Sequence, residues 1–220
     1  PVDRRQRQMC IRDRHILVME EITHPTLENH LEAATLTWPD MLELFRIHGA
    51  FMFGIGTFHG DLHPGNALMD ADGNFVFIDT GAICNAPKHV RNALFGFFYF
   101  LARGELKNAF DAMLTMAAVQ PTGATLQTYY DSMNELYDGF VGTSVSEVSL
   151  TEQMMKTVKA AVLAGCAFGE EAFPIIRSLM YMDGMVLKGH PSVDLISSMG
   201  PYLDEFSVLI DPNSILAVNA

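Results

Sequence analysis

The sequence FHGDLHPGN at residues 58–66, followed by IDTG at residues 78–81, decides the fold prediction for this chain. Asp61, Asn66 and Asp79 place side-chain oxygens at spacings of five and thirteen residues. Oxygen ligands on loops suit a hard cation such as Mg²⁺, and phosphate oxygens can complete its coordination. The pattern therefore predicts a phosphoryl-transfer site.

A β-hairpin is predicted between Asn66 and Asp79. Residues 67–69 and 75–78 are short apolar runs, and the sequence DADGN between them is typical of a tight turn. Antiparallel pairing brings the two outer ends of a hairpin together. We therefore expect Asn66 and Asp79 to meet in space.

Each of these residue types suits one role in phosphoryl transfer. Asp61 is the predicted catalytic residue, which would accept a hydroxyl proton or orient a water. Asn66 and Asp79 are the predicted metal ligands, through an amide oxygen and a carboxylate. Gly81 is predicted to support the site by letting the backbone turn away beyond Asp79.

Two histidines flank Asp61 and allow two interpretations. His59 and His63 could be alternating ligands of a transition metal, with Asp61 between them. Alternatively they support the loop, with His59 packed inside and hydrogen-bonded to backbone near Asp79. We favour the supporting role because no further His or Cys cluster completes a zinc set.

Composition narrows the class of protein. The chain has 220 residues, is 49% hydrophobic and carries a formal net charge of -12. This length suffices for one sizeable core. An acidic surface argues against nucleic acid as a partner, because phosphate backbones need basic patches, but it does not exclude ATP. Three dispersed cysteines favour a cytoplasmic compartment, and no apolar run is long enough for a transmembrane segment.

The segments on either side of the motif have different predicted roles. Residues 1–14 contain five arginines and are predicted to be a non-native or disordered arm. Residues 15–22 are predicted to be a buried strand. The remainder, residues 23–220, is predicted to be mostly helical, and the aromatic run at residues 94–101 is expected to be core rather than a lipid contact. The predicted helices after Gly81 cover residues 87–103, 106–119, 126–140, 151–168, 172–188 and 193–209.

The motif at residues 58–66 resembles the catalytic loop of the UbiB/ADCK atypical kinases, whose pattern is Phe-His-Ala/Gly-Asp-x-His-Pro-Gly-Asn. The sequence LVME at residues 17–20 resembles the hinge of that family, so Met19 and Glu20 are implied contacts of the adenine. Residues 178–184, followed by His190 and Pro191, resemble its C-terminal helical region.

This resemblance implies an α+β, mostly helical fold: the large lobe of a protein kinase, with the metal site on a short hairpin. It also implies ATP and Mg²⁺ as cofactors and a role in ubiquinone or other isoprenoid-lipid metabolism. Lipid-pathway proteins or a membrane surface are the implied partners.

Two departures from the family pattern affect the expected activity. Thr80 stands where the family usually has Phe, and no lysine precedes Lys88. The small lobe with its phosphate-binding Lys is therefore expected upstream in a full-length protein. The chain is predicted to be an incomplete atypical kinase or ATPase lobe, weakly active or inactive alone. A small-molecule kinase resembling aminoglycoside and choline phosphotransferases and a non-catalytic scaffold are the alternatives.

Overall fold

The computed structural model describes Met9–Cys10, Leu17–Val18 and residues 21–210. Strands β1 (Met9–Cys10) and β2 (Leu17–Val18) pair antiparallel. The predicted hinge contacts, Met19 and Glu20, and most of the predicted arm at residues 1–14 lie outside the described residues.

Helices dominate the described part of the chain, as the sequence predicts. Each helix predicted after Gly81 is present, and most of them end earlier than predicted. The helices are α1 (Leu27–Glu32), α2 (Trp38–Gly49), α3 (Lys88–Leu101), α4 (Leu106–Met116), α5 (Ala124–Tyr137), α6 (Leu150–Leu163), α7 (Ala172–Gly189) and α8 (Leu195–Ser207).

The start and end of α2 follow from its sequence. Thr37 accepts a hydrogen bond from the Asp40 backbone N–H at 3.3 Å, and the Asp40 carboxylate accepts one from the Thr37 N–H at 3.0 Å. This reciprocal capping box satisfies donors that the first turn leaves unpaired. The helix continues into a π-helical turn, Ala50–Ile55, and ends at Gly56, whose φ of 84° suits glycine. The chain then enters the motif directly.

Two small antiparallel sheets frame the motif. Strand β4 (Ala67–Met69) pairs with β5 (Phe75–Phe77), with Leu68 opposite Val76, so the predicted hairpin is present. Strand β3 (Thr57–His59) pairs with β6 (Ile83–Asn85). Strand β6, which lies between Gly81 and the first helix predicted after it, was not predicted. A three-residue strand has too few positions to show an alternating pattern.

One apolar core joins α1 through α8. The aromatic run of α3 is at its centre: Phe95 and Phe97 are fully buried, so the prediction of core packing is confirmed. The Phe97 ring meets Tyr137 edge-on at 6.1 Å and links α3 to α5. Helix α7 packs against α1, and α8 packs against α2 and α3. Across the described residues, no helix is long and apolar enough to cross a bilayer.

Candidate active site

The loop between β3 and β4 folds tightly around Asp61. The Asp61 carbonyl accepts hydrogen bonds from the His63 N–H at 2.7 Å and from the Asn66 side-chain amide at 3.0 Å. The Asn66 N–H in turn donates to the His63 carbonyl at 2.7 Å. The Asn66 amide therefore braces the backbone of Asp61. This bond uses Nδ2 and leaves the Asn66 carbonyl oxygen, Oδ1, to accept other contacts.

The hairpin brings Asp79 to the same place. The Ile78 N–H donates to the Asn66 carbonyl at 2.9 Å, so the residue before Asp79 lies beside Asn66. Asp79 itself is exposed and adopts a left-handed backbone, with φ and ψ both 54°. Aspartate tolerates this region better than most residues, and such strained positions cluster at functional sites. A Cβ atom on Gly81 would lie 3.5 Å from Asp79 Oδ1, an ordinary van der Waals distance, so the space beside the carboxylate does not by itself require glycine at position 81.

His59 connects the Ile78 end of the hairpin to the Asp61 loop. Its buried ring donates from Nε2 to the Ile78 carbonyl at 2.9 Å and accepts at Nδ1 from the Asp61 N–H at 3.2 Å. Both ring nitrogens are thus satisfied by backbone groups. This arrangement has the predicted supporting geometry. His63 is exposed, and its Nδ1 accepts from the Gly65 N–H at 3.1 Å.

Gly60 lets the loop approach β6 very closely. Its N–H donates to the Ala82 carbonyl at 2.8 Å. A Cβ atom at this position would lie 2.4 Å from Cys84 Sγ and 3.0 Å from the Ala82 oxygen. A glycine between His59 and Asp61 therefore permits the pairing that holds the loop against the sheet.

Helix α7 contributes three side chains that the sequence did not identify as part of the site. Arg177 Nε donates to the Gly60 carbonyl at 2.8 Å, and Ser178 Oγ donates to the His59 carbonyl at 3.3 Å. The Tyr181 ring meets the His63 ring edge-on, with centroids 5.6 Å apart. The nearby Asp61 carboxylate raises the pKa of Tyr181, as does burial, whereas the Arg177 charge lowers it. Tyr181 follows Arg177 by four residues and Ser178 by three, so it neighbours both on the helix surface, and that spacing was the available signal.

A buried histidine lies behind this contact. His48, on α2, is hydrogen-bonded through Nε2 to Ser178 Oγ at 2.8 Å. Burial lowers the pKa of His48 to about 4, and the charge that His59 can carry acts in the same direction. A neutral imidazole therefore joins α2, α7 and the loop.

The oxygen atoms of this site fit a hard cation. Asn66 Oδ1 and the Asp79 carboxylate stand on adjacent backbone at the base of the hairpin, and such ligands suit Mg²⁺. Within the described ranges, no group of three or more His, Cys, Asp or Glu residues could hold a metal. A cation here would therefore need further oxygen ligands, such as those of a phosphate.

Comparison with known proteins identifies the relatives of this site. Residues 11–113 match the ABC1 atypical kinase-like domain. The predicted resemblance to the UbiB/ADCK atypical kinases is thus confirmed. The ABC1 match includes the Asp61 loop, the hairpin and Asp79, and it ends within α4. Helix α7, with Tyr181, lies beyond it.

The curated relatives include kinases of this group. The chain is 26% identical over 168 residues to Protein ACTIVITY OF BC1 COMPLEX KINASE 3, chloroplastic, of Arabidopsis thaliana, which covers 73% of this chain and 22% of the relative. It is 19% identical over 159 residues to the Probable protein kinase UbiB of Pasteurella multocida, covering 70% of this chain and 30% of the relative. An uncharacterized protein of Clostridium pasteurianum, encoded in the hydrogenase 1 5' region, is 20% identical over 192 residues, covering 86% of this chain and 36% of the relative. The chain thus spans between 22% and 36% of the length of these relatives.

Proposed function

We propose that this chain carries the catalytic and metal-holding part of an ABC1-type atypical kinase, which binds ATP with Mg²⁺ and transfers or hydrolyses its terminal phosphoryl group. One observation carries the proposal. The hairpin places Asn66 beside the residue preceding Asp79, while the Asn66 amide holds the backbone of Asp61. These contacts support a single site for the three oxygen-bearing side chains, within the segment that matches the kinase-like domain.

The residues divide the chemistry between them. Asn66 Oδ1 and the Asp79 carboxylate would hold Mg²⁺, which when bound neutralises phosphate charge that develops during transfer. Asp61 accepts the proton of an acceptor hydroxyl or orients a water. Through its two backbone hydrogen bonds, His59 holds the Asp61 N–H and the Ile78 carbonyl on either side of its ring. The Asp61 loop therefore stays beside the residue that precedes Asp79.

The proposal also includes the predicted adenine contacts and the predicted metabolic role. Met19 and Glu20 would contact the adenine, because the sequence LVME at residues 17–20 resembles a kinase hinge. The role in ubiquinone or other isoprenoid-lipid metabolism follows from the same resemblance.

Mg²⁺-dependent ATP binding to the 220-residue chain tests the proposal by calorimetry. Asp79→Asn is the decisive variant, because Asn tolerates the left-handed backbone while the anionic charge is lost. We expect it to weaken ATP binding about tenfold or more in Mg²⁺, and to leave binding without Mg²⁺ unchanged. Asp61→Asn should retain Mg²⁺-dependent binding and lose turnover.

Asp72→Asn is the matched control. Asp72 is an exposed aspartate at the opposite end of the same hairpin, and the same chemical change there should leave binding unaltered. An ATP affinity that does not respond to Mg²⁺, or an equal effect of Asp72→Asn and Asp79→Asn, would contradict the proposal. Phosphorylation of a sugar or aminoalcohol in preference to hydrolysis would support the small-molecule kinase alternative instead.

A further inference from the structure

Arg177, on α7, brings a positive charge to the Asp61 loop. Its Nε donates to the Gly60 carbonyl at 2.8 Å, and that carbonyl belongs to the peptide bond that leads into Asp61. A guanidinium carries five N–H donors in one plane, and Nε supplies only one of them. The four donors of the two terminal nitrogens therefore lie beside the loop. The Arg177 charge also lowers the pKa of Tyr181, which the Asp61 carboxylate raises, so both charges act on the same hydroxyl.

The terminal nitrogens of Arg177 have no hydrogen-bond or ion-pair partner in the part of the chain that the structure describes. Arg177 is exposed, so these nitrogens can be reached from solvent. Four other cations are instead each paired with a carboxylate: Arg46, Arg103, Lys107 and Lys156. Arg177 thus combines a fixed position, through its bond to Gly60, with a charge that is available to an anion.

The sequence around the site lacks any other positive charge for a phosphate. Residues 58–81 contain four aspartates and no lysine or arginine, and the whole chain has a formal net charge of -12. The phosphates of ATP are anionic, so this surface repels them unless cations are supplied locally. Mg²⁺ offsets part of the charge, and the planar fork of an arginine matches the oxygens of a phosphoryl group.

We propose that Arg177 binds the terminal phosphoryl group of ATP through its two terminal nitrogens and offsets the negative charge of that group during transfer. This inference rests on the proposed function of the Asp61 loop. An arginine supplied close to the transferred group stabilises the same charge in other phosphoryl-transfer enzymes. The ABC1 match covers residues 11–113, so it does not assign this role to Arg177.

Arg177→Gln separates the charge of Arg177 from its contact with the loop. The amide nitrogen of glutamine occupies the same place along the side chain as arginine Nε, so it can still donate to the Gly60 carbonyl. The test is calorimetric binding of ATP and of ADP to the full chain in Mg²⁺. We expect the ATP affinity of Arg177→Gln to fall about tenfold or more. The ADP affinity and the melting temperature should not change, because ADP lacks the terminal group.

Lys188→Gln is the matched control, since it removes one positive charge from the same helix. Lys188 is exposed and lies eleven residues after Arg177, about 16 Å along the helix axis. Salt screens exposed charges at such a separation, so its ATP affinity should equal that of the unaltered chain. Equal losses of ATP affinity in Arg177→Gln and Lys188→Gln would overturn the inference. Equal losses for ATP and ADP in Arg177→Gln would overturn it too.

An NMR measurement tests the phosphate contact independently of ATP binding. In a ¹⁵N-labelled chain, the Nε–H signals of Arg177 and Arg91 are identified by their disappearance in Arg177→Gln and Arg91→Gln. Inorganic tripolyphosphate, which carries phosphates without a nucleoside, should shift the Arg177 signal and leave the Arg91 signal in place. If ATP does not bind the unaltered chain, the proposed function fails and this titration decides. A shift at Arg177 alone supports phosphate binding by this residue, whereas no shift, or equal shifts of both signals, overturns the inference.

Discussion

His48 shows how a single buried residue can make stability depend on pH. Its side chain is 4% exposed and is tied to Ser178, which in turn holds the His59 carbonyl. The folded protein keeps the imidazole neutral, because charging it would cost the free energy of desolvation. The unfolded chain has no such restriction, so protonation favours unfolding.

We therefore predict that stability falls as the pH drops from 6.5, the ordinary pKa of histidine, towards the folded pKa of about 4. The sign follows from the lowered pKa: the unfolded state binds the extra proton, so acid lowers the free energy of unfolding, by about 3 kcal/mol from this residue. His48→Gln can still bind Ser178 but does not titrate. Urea denaturation across this pH range should show the unaltered chain losing stability relative to His48→Gln.

His89→Gln provides the comparison for this measurement, because the His89 side chain is 62% exposed. Its free energy of unfolding should follow that of the unaltered chain at every pH. Parallel curves for the unaltered chain and His48→Gln would show that His48 does not carry the effect.

At the scale of elements, the N-terminus of α6 is capped by a side chain of α7. Asp183 is buried and accepts hydrogen bonds from the Ser149 hydroxyl at 2.6 Å and from the N–H groups of Leu150 at 3.2 Å and Thr151 at 3.0 Å. A negative charge at a helix N-terminus also interacts favourably with the helix dipole. The same carboxylate therefore caps one helix and fixes the position of a second.

Asp183→Ala is predicted to lower the free energy of unfolding by about 3 kcal/mol, because it leaves buried donors without an acceptor. Asp183→Asn keeps one acceptor oxygen and should cost less. Urea denaturation measures both, and hydrogen exchange at Leu150 and Thr151 should accelerate in Asp183→Ala.

Asp194→Ala is the matched substitution at an ordinary cap. Asp194 accepts from the Ser197 N–H at 3.0 Å at the start of α8, and its loss should cost about 1 kcal/mol. Equal losses of unfolding free energy for Asp183→Ala and Asp194→Ala would contradict this prediction. They would show that Asp183 stabilises the protein no more than an ordinary helix cap does.

The elements that could be predicted from the sequence are those specified by a few neighbouring residues. The turn at residues 70–74 identified the hairpin, because Asp70 Oδ1 accepts from the backbone of Asp72 and Asn74 and Gly73 adopts a φ of 81°. The pairing of β3 with β6 and the approach of α7 to Asp61 were missed. Both depend on residues far apart in the chain, such as Ser178 and His59, and no local pattern records such contacts.

At the scale of the whole molecule, the apolar core extends beyond the segment that matches the kinase-like domain. Phe97 is fully buried and contacts Tyr137 on α5, which follows that segment. Trp38, the single tryptophan, lies at the start of α2 and meets His190 at 5.5 Å, just after α7. The two halves of the chain therefore share one core.

We predict that Phe97→Ala destabilises the entire chain by about 3–5 kcal/mol, since it leaves a cavity in this shared core. Trp38 fluorescence and far-ultraviolet circular dichroism should report the same shifted midpoint in urea, because both signals follow one cooperative transition. The control is Phe173→Ala, where the side chain is 70% exposed and the change should stay within about 0.5 kcal/mol. Separate midpoints for the two signals would contradict a shared core.

The contact between α7 and the Asp61 loop also has a consequence for the synthesis of the protein. Arg177 and Ser178 reach carbonyls that precede them by 117 and 119 residues. At a translation rate of about 5–20 residues per second, the loop is complete roughly 6–24 s before the helix that holds it is made. During that interval the nascent chain carries every residue of the 58–66 motif but lacks the two side chains that hold the backbone just before Asp61. A ribosome stalled before residue 177 would therefore present the motif without the assembled site.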